Sequence, residues 1–207
     1  MRSYDQYCGL ARALDVIGDR WALLIVRELL EGPRRYNELV DGLPGIATNL
    51  LADRLRDLES SGVVEKGEGG RYALTPWGEA LHEPIYALGR WAGPLMKTRG
   101  KAAFRPQWLR HMVIARFEGV DPDRQDMVVE VRLDGGEPAT LVSSGGRVHM
   151  VRGRTASPDV IVSGPPDGVA GLLGGRLSAK DARARKVKIE GDGRRLAGLR
   201  PRTGLPR

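Results

Sequence analysis

Apolar residues in the first 62 positions recur at the three-to-four residue spacing of amphipathic helices. They form three stripes: Leu14, Ile17, Trp21, Leu24, Ile25 and Leu29; then Tyr36, Leu39, Val40 and Leu43; then Leu51, Leu55 and Leu58. Gly32-Pro33, Pro44-Gly45 and Gly62 follow the stripes, and glycine and proline are the residues that end helices. We therefore predict three helices, the first with a weak point at Gly18-Asp19.

The hydrophobic period then changes from helical to alternating. Residues 62–66 (GVVEK) and 71–75 (RYALT) are short strand candidates, and the glycine-rich link between them suits a tight hairpin. Thr75-Pro76 has the pattern of an N-cap followed by proline at the first helical position. A further helical stripe runs from Leu81 to Leu95. Three helices, a hairpin and a helix in this order predict a winged helix-turn-helix domain.

Beyond residue 100 the composition shifts, and strand-like runs alternate with turns of Gly, Pro and Asp. A helical stripe at Trp108, Met112, Ala115 and Phe117 comes first. Strand candidates follow at 126–133, 138–144, 147–153 and 159–164, then two short helices, a strand at 187–192 and a closing helix at 194–199. We predict an α+β chain with domains at 1–100 and 101–200 and a flexible tail at 201–207.

Composition narrows the class of protein. A chain with 41% hydrophobic and 29% charged residues is globular rather than disordered. No apolar run approaches the roughly 18 residues of a membrane span, and the N-terminus lacks a signal peptide's apolar core. We expect a cytoplasmic protein without a membrane partner. The single cysteine, Cys8, excludes an intrachain disulfide, and the three histidines lack zinc-site spacing, so we expect no metal and no cofactor.

The net charge of +7 is unevenly distributed. Residues 1–100 contain 13 Lys and Arg against 14 Asp and Glu, whereas residues 101–207 contain 20 against 12. If the first domain binds DNA, the attraction must come from a local arrangement of arginines rather than from the domain's overall charge.

The third helix has one apolar face and one polar face. Leu55 and Leu58 fall within about 40° of Leu51 on a helical wheel, so that face is predicted to be buried. The opposite face carries Asn49, Ala52, Asp53 and Arg56. In the major groove Asn49 can read adenine and Arg56 can read guanine or bind phosphate. Asp53 can accept a hydrogen bond from cytosine or pair with Arg56.

Other basic residues surround this face. Arg54 falls nearer the buried edge of the wheel, so we predict that it binds phosphate or forms a salt bridge. A basic rim of Arg34, Arg35, Lys66 and Arg71 is expected to position the domain on the phosphate backbone without reading bases. An amphipathic helix pair with solvated charges is the simpler interpretation of any one stripe. The hairpin directly after the third helix favours DNA binding.

Several motifs in order resemble the HxlR-type transcriptional regulators: "ALDVIGDRW" after Cys8, "RRYNEL", and "LPGI" before the third helix. The resemblance covers about residues 7–95. It implies a winged-helix regulator that binds an imperfect palindrome of double-stranded DNA as a homodimer. The homodimer would pair through the first and last helices, here around Leu10–Leu30 and Pro76–Leu95.

Two departures from the family and one match change the expected site. Relatives usually carry a serine where this chain has Ala47, so we expect Thr48 to cap the recognition helix instead. The wing is short, with Glu68-Gly69-Gly70 near its tip, which predicts weaker minor-groove contact. Cys8 matches the sensing cysteine of some relatives by position. A buried, inert thiol is the commoner role of a free cysteine, and only Arg12 is near enough in sequence to lower its pKa.

Residues 108–199 resemble, more weakly, the sterol carrier protein type two fold. The resemblance lies in the order of elements and in "PDVIVSGPPDGVAGLLGGRL" and "VKIEGD". It implies a sterol-carrier-like α/β sandwich around an apolar cavity. The residues expected to face an effector pocket are Trp108, Met112, Phe117, Val129, Val131, Leu141, Met150, Leu172 and Leu173. Plain core packing is the competing interpretation of each.

No nucleophile, base and orienting acid can be assembled from this sequence, so we expect no enzymatic activity. The basic run "ARARKVK", with Arg194 and Arg195, is a solvated face, a second DNA contact or a rim for an anionic ligand. We therefore predict a homodimeric regulator that binds a palindromic operator and has a C-terminal domain that binds a small apolar effector. In one alternative, Cys8 senses oxidants or electrophiles and the C-terminal domain is only structural. In another, the protein is a lipid carrier with a vestigial helix-turn-helix.

Overall fold

The computed structural model describes residues 3–96, 101–117 and 119–201. Contacts divide the chain into two units, Met1–Ile85 and Tyr86–Arg207, so the division falls earlier than the boundary expected after residue 100. Apart from Pro201, the expected tail at 201–207 lies outside the described residues.

Four helices open the first unit: α1 (Gly9–Ile17), α2 (Ala22–Leu29), α3 (Tyr36–Gly42) and α4 (Thr48–Ser60). The predicted weak point at Gly18-Asp19 is a true break, because α1 ends at Ile17 and α2 begins only at Ala22. Trp21, which precedes α2, has a φ of 82° in the left-handed region that bulky residues seldom adopt. This unusual backbone gives a sharp elbow between the two helices.

The core of the first unit confirms the predicted apolar faces of the second and third stripes. Leu39, Leu51, Leu55 and Leu58 are all buried, and the α2 residues Ile25, Val26 and Leu29 complete the same cluster. Not every residue of the first stripe is inside, because Leu14 and Leu24 remain 40% and 41% exposed. The core therefore holds α4 on α2 and α3, and leaves part of α1 apolar and uncovered.

The wing is a β-hairpin with an additional pairing partner. β1 (Val64–Lys66) and β2 (Tyr72–Leu74) pair antiparallel, with Lys66 opposite Tyr72. A 3-10 turn over Glu68–Gly70 joins them. Arg34 bridges to Tyr72 from the other side: its N–H donates to the Tyr72 carbonyl at 2.9 Å, and the Tyr72 N–H donates back at 2.7 Å. This bridge ties the entry to α3 to the wing.

The expected continuous helix after the wing was wrong. The chain forms α5 (Pro76–Glu79), α6 (His82–Trp91) and a 3-10 turn over Gly93–Leu95. Pro84 explains the first interruption, because it has no N–H for the carbonyl of Ala80 and its ring would clash there. Pro94 ends α6 for the same reason four residues after Arg90.

The predicted N-cap at Thr75 is confirmed. Its hydroxyl accepts a hydrogen bond from the Gly78 N–H at 3.1 Å and donates to the Gly62 carbonyl at 2.7 Å. We expect Thr75→Ala to lower the free energy of unfolding by about 1 kcal/mol, since an unsatisfied helix start loses roughly that much. Urea denaturation measures the change. Thr48→Ala is the matched control and should shift stability by less than about 0.5 kcal/mol, because no side chain caps α4. Equal losses in both variants would contradict the capping role.

The second unit contains a five-stranded sheet. Its strands are β3 (Met127–Leu133), β4 (Ala139–Ser144), β5 (Arg147–Arg152), β6 (Val160–Gly164) and β7 (Lys188–Gly191). The order across the sheet is β5-β4-β3-β6-β7, with β3 and β6 parallel and every other pair antiparallel. The helices of this unit are α7 (Trp108–Ile114), α8 (Pro166–Leu173) and α9 (Ala179–Ala184). The expected α+β class is therefore present in both units.

Two details of the second unit differ from the sequence prediction. α7 buries Leu109, His111 and Val113. Of the predicted stripe, Ala115 and Phe117 are buried, whereas Trp108 and Met112 are only half-buried. Residues 108–113 carry two interleaved apolar pairs at helical spacing, and the sheet selects one of them. The expected closing helix at 194–199 is a 3-10 segment over Gly193–Leu199.

Candidate DNA-binding surface

The polar face of α4 is exposed as predicted. The burial of its three leucines turns Asn49, Asp53 and Arg56 to the surface, with Ala52 half-buried beside them. A 13-residue helix spans about 20 Å, which is long enough to lie along a major groove. The face therefore offers one amide, one carboxylate and one guanidinium as hydrogen-bonding groups for base edges.

The arginines of α4 are paired with acidic residues. Arg56 forms an ion pair with Asp53, one of the two roles predicted for that aspartate. Arg54 pairs with Asp57 at 2.7 Å and with Asp19, in the α1–α2 elbow, at 3.1 Å. The salt-bridge alternative predicted for Arg54 is thus present. These pairs leave α4 with little uncompensated positive charge.

The Arg54–Asp19 pair was not visible from sequence. It connects α4 to an elbow 35 positions earlier in the chain, and neither residue type nor spacing indicates it. Asp19 lies two residues before Trp21, and the Arg20 guanidinium lies 5.9 Å from the centre of the Trp21 ring. The elbow that joins α1 and α2 thus contacts the predicted recognition helix directly.

The residues of the basic rim come together around the entry to α3 and the wing. The Arg71 guanidinium donates to the Pro33 carbonyl at 3.1 Å and lies 3.4 Å from the Glu38 carboxylate. The Lys66 ammonium lies 5.5 Å from the centre of the Tyr72 ring. Arg35 is exposed, and Arg34 is half-buried in its bridge to the wing. The backbone bridge explains how residues almost 40 positions apart reach one surface.

Glu38 is an acidic residue among the cations of this rim. Its carboxylate accepts the Arg35 N–H at 2.6 Å, which closes the start of α3. The same N–H is the main reason that the pKa of Glu38 lies below its ordinary value, with smaller contributions from Arg71 and Arg34. The carboxylate therefore stays charged at neutral pH and offsets part of the rim's positive charge.

The predicted cap of α4 was wrong. Thr48 is the first residue of the helix, Ala47 occupies the N-cap position, and no side chain caps the helix. The start of α4 is fixed from α3 instead, because the Tyr36 hydroxyl donates to the Thr48 carbonyl. Thr48 itself is exposed beside Asn49. A hydroxyl is thus exposed next to the polar face of α4.

The expectation of a buried thiol at Cys8 was also wrong. Cys8 is exposed and occupies the N-cap position of α1. The backbone N–H groups of Ala11 and then Leu10 lower its pKa below the ordinary thiol value. The lowered pKa thus comes from the helix start, although the sequence offers no basic residue near Cys8 other than Arg12. A thiol of this kind carries more reactive thiolate at neutral pH.

An apolar groove begins beside Cys8. It has a volume of about 670 Å³ and runs along α1 toward β1, α5 and the start of α6. Its apolar and small lining residues are Gly9, Ala13, Val16, Ile17, Val63, Trp77 and Leu81, with Ser3, Arg12 and Asp15 as polar members. The sequence alone does not indicate this groove, because its walls come from elements about 45 to 70 positions apart.

The residues expected to face an effector pocket lie in and around the core of the second unit. Phe117, Val129, Val131, Leu141, Met150 and Leu173 are buried core residues, and Met112 and Leu172 pack against them. Trp108 is half-buried, with its ring 6.2 Å from that of Phe104. The structure thus gives these residues the packing role that was the competing interpretation.

Two kinds of feature are absent from the described residues 3–96, 101–117 and 119–201. No helix among these residues is long and apolar enough to cross a membrane. In the same part of the chain, no group of three or more His, Cys, Asp or Glu side chains could hold a metal ion.

Comparisons with known proteins match the first half of the chain. A model of the HxlR-like helix-turn-helix family matches residues 16–99. An uncharacterized HTH-type transcriptional regulator of Synechocystis sp. is 39% identical over 87 residues, which is 39% of this chain and 64% of that protein. YvaP of Bacillus subtilis, also an uncharacterized HTH-type regulator, is 34% identical over 87 residues, with 81% of its length covered.

Among solved structures, the quinone-bound YodB of Bacillus subtilis is 34% identical. The match covers 42% of this chain and 98% of that one, with a TM-score of 0.40. The match to the Synechocystis protein falls just short of two thirds of its length, whereas the match to YvaP exceeds it. With the family model over residues 16–99, these identities show that the chain belongs to the HxlR-like helix-turn-helix family of transcriptional regulators.

Proposed function

We propose that the protein regulates transcription as a homodimer that binds a palindromic operator through α4. The observation that carries this proposal is the exposed face of Asn49, Asp53 and Arg56 on a helix whose other face is buried. Asn49 hydrogen-bonds to adenine. Arg56 leaves its ion pair with Asp53 and hydrogen-bonds to guanine. The rim of Arg34, Arg35, Lys66 and Arg71 contacts phosphates and sets the register.

The dimer is supported by uncovered apolar surface on the first and last helices. Tyr7, Leu10 and Leu14 are exposed at and before α1. Leu88 and Trp91 are exposed on α6, with Trp91 67% accessible. Exposed apolar residues of this size often mark surfaces that contact another protein, and a second copy of the chain is the partner that a palindromic operator requires.

The experiment that tests the proposal is binding to the DNA upstream of the protein's own gene. The purified protein is titrated against that intergenic duplex and against a scrambled duplex at two salt concentrations. We expect specific binding that falls steeply with salt, and sedimentation of two protein copies per duplex. No salt-sensitive binding to any DNA would favour the lipid-carrier alternative.

A second candidate function is the sensing of electrophiles through Cys8. It is supported by the exposed thiol, its lowered pKa and the adjacent apolar groove, which is large enough for an aromatic ring. YodB, a relative matched above, has been solved with a bound quinone. In this proposal the thiolate adds to the electrophile at the N-terminus of α1, and the modified residue changes the geometry of α1.

Cys8→Ser is expected to remove the response of operator binding to benzoquinone. The wild-type protein should lose operator affinity after treatment, whereas the variant should retain it, because a serine hydroxyl does not add to the quinone at neutral pH. Mass spectrometry of the treated wild-type protein should show one adduct at Cys8. Because the pKa is lowered, the adduct should form at a lower pH than with a free cysteine. A variant that still responds would exclude this route.

A further part of the proposal is that the second unit is a sterol-carrier-like effector domain. Its support is a five-stranded sheet with a large apolar core, and half-buried Trp108 and Met112 beside that core. A ligand regulates DNA affinity only if it binds the two states differently. Calorimetric titration with acyl compounds, repeated with operator present, tests this. Saturable binding that leaves operator affinity unchanged would contradict effector sensing.

A further inference from the structure

Five cations of the second unit form a basic cluster that the operator reader does not use. They lie on α9, the following turn and β7, and are Lys180, Arg183, Arg185, Lys186 and Lys188. All five are exposed, and within the described part of the chain no side-chain hydrogen bond or ion pair involves them. The next cations in sequence differ, because Arg194 pairs with Asp192 and Arg195 pairs with Asp159.

The backbone of this cluster keeps a lysine where glycine is favoured. Lys186 has a φ of 65° and follows the end of α9. Its N–H donates to the Arg183 carbonyl at 2.9 Å, and the Val187 N–H donates to the Ala182 carbonyl at 3.0 Å. These two bonds form a Schellman turn, whose left-handed position usually carries glycine. Glycine would suit this position better than lysine, so Lys186 occupies it at a conformational cost.

The distribution of charge between the units indicates what such a cluster binds. Residues 1–85 contain 10 Lys and Arg against 14 Asp and Glu, whereas residues 86–207 contain 23 against 12. The unit that holds the operator reader is therefore net negative, and both arginines in the body of α4 already pair with aspartates. A polyanion is attracted in proportion to the cations that neutralise its phosphates. The excess of cations in the second unit can therefore add to the attraction that the rim of Arg34, Arg35, Lys66 and Arg71 supplies.

We propose that the basic cluster binds the phosphate backbone of DNA as a second contact that is independent of sequence. This inference rests on the proposed function, because it supplies the attraction that a net-negative reader lacks. An anionic membrane is the less suitable partner. Membrane-binding basic segments carry large apolar residues beside their cations, whereas the large apolar residues here, Val187 and Ile189, are buried and half-buried.

The test compares two triple variants of the full chain with equal loss of charge. The cluster variant is Lys180→Gln, Arg183→Gln, Lys188→Gln. The control is Lys101→Gln, Arg105→Gln, Arg147→Gln, which removes exposed cations elsewhere in the second unit. The slope of log affinity against log salt is measured on the operator and on a scrambled duplex. In the cluster variant we expect the magnitude of this slope to fall by about 0.9 for each phosphate contact removed, and by up to about 2.7 for three. The control should keep the wild-type slope.

A single substitution tests whether misfolding, rather than lost charge, explains a reduced salt slope. Lys186→Gly should raise the unfolding midpoint, because glycine suits the left-handed position, while it reduces the salt slope by about 0.9. A more stable protein with weaker DNA attraction cannot be explained by loss of fold.

The outcomes separate this inference from the proposed function. Wild-type protein that binds no DNA would contradict the proposed function itself. Wild-type binding with equal slopes in the cluster and control variants would overturn the inference alone. It would also be overturned if the cluster variant kept its DNA slope but lost binding to phosphatidylglycerol vesicles.

Discussion

Replacing both Asn49 and Arg56 by alanine is expected to abolish specific operator binding while the protein stays folded. Each bidentate contact with a base contributes about 1–3 kcal/mol of discrimination, so the pair contributes about 2–6 kcal/mol in each half-site. Affinity for one half-site should fall about 30-fold to 10⁴-fold, and the loss applies to both half-sites of a palindrome. Electrophoretic or fluorescence titration with the upstream duplex measures this change.

The same variant should bind a scrambled duplex almost as well as the wild type. Both side chains are exposed, so their truncation removes no core contact, and the only ion pair lost is that of Arg56 with Asp53. Exposed pairs of this kind contribute roughly 0–1 kcal/mol to stability. The matched control is Gln125→Ala, Arg147→Ala, which removes an exposed amide and an exposed guanidinium from the second unit. If the control weakened operator binding equally, α4 would not be the reader.

Leu55→Ala should destabilise the first unit by about 3–5 kcal/mol. Leu55 is 1% exposed, on the face of α4 that packs against α2 and α3, and buried leucine truncations of this kind leave a cavity. Because domains are stable by only about 5–15 kcal/mol, this change removes a large share of the total. Operator binding should therefore be lost at temperatures at which the wild-type protein still binds.

Leu141→Ala in the second unit is the comparison that makes this result specific. Leu141 is fully buried in the other core, so a similar loss is expected, but in the unfolding of the sheet rather than of the operator reader. Hydrogen exchange locates the loss in each variant. A loss below about 1 kcal/mol for Leu55→Ala would contradict the packing of α4 described above.

The spacing of apolar residues predicted the buried face correctly where a helix has a single apolar stripe. The leucines of α4 are the example, because a helix with a single apolar face has only one way to bury it. The polar residues at the opposite positions, including Asn49 and Arg56, follow from the same geometry. α7 shows the limit of this reasoning, because Trp108 with Met112 and Leu109 with Val113 have equal helical spacing.

The break in the helix after the wing and the exposure of Cys8 both have local signals in the sequence. Pro84 stands four residues after Ala80 and interrupts the long helix that the apolar stripe alone predicted. Cys8 directly precedes the first residue of α1, where free N–H groups lower a thiol pKa. The expectation of a buried thiol rested on how free cysteines generally behave rather than on this local position.

The sequence by itself determined the order of helices and strands, the buried face of α4 and the excess of cations in the second half. These properties depend on residue type and on spacings of a few residues, which local sterics and burial control. Tertiary structure alone decided that Asp19 meets Arg54, that Arg34 joins the wing, and that α1, Val63 and Trp77 enclose a groove. Each of these contacts joins residues about 35 to 65 positions apart, and the packing of whole elements, rather than any local preference, brings them together.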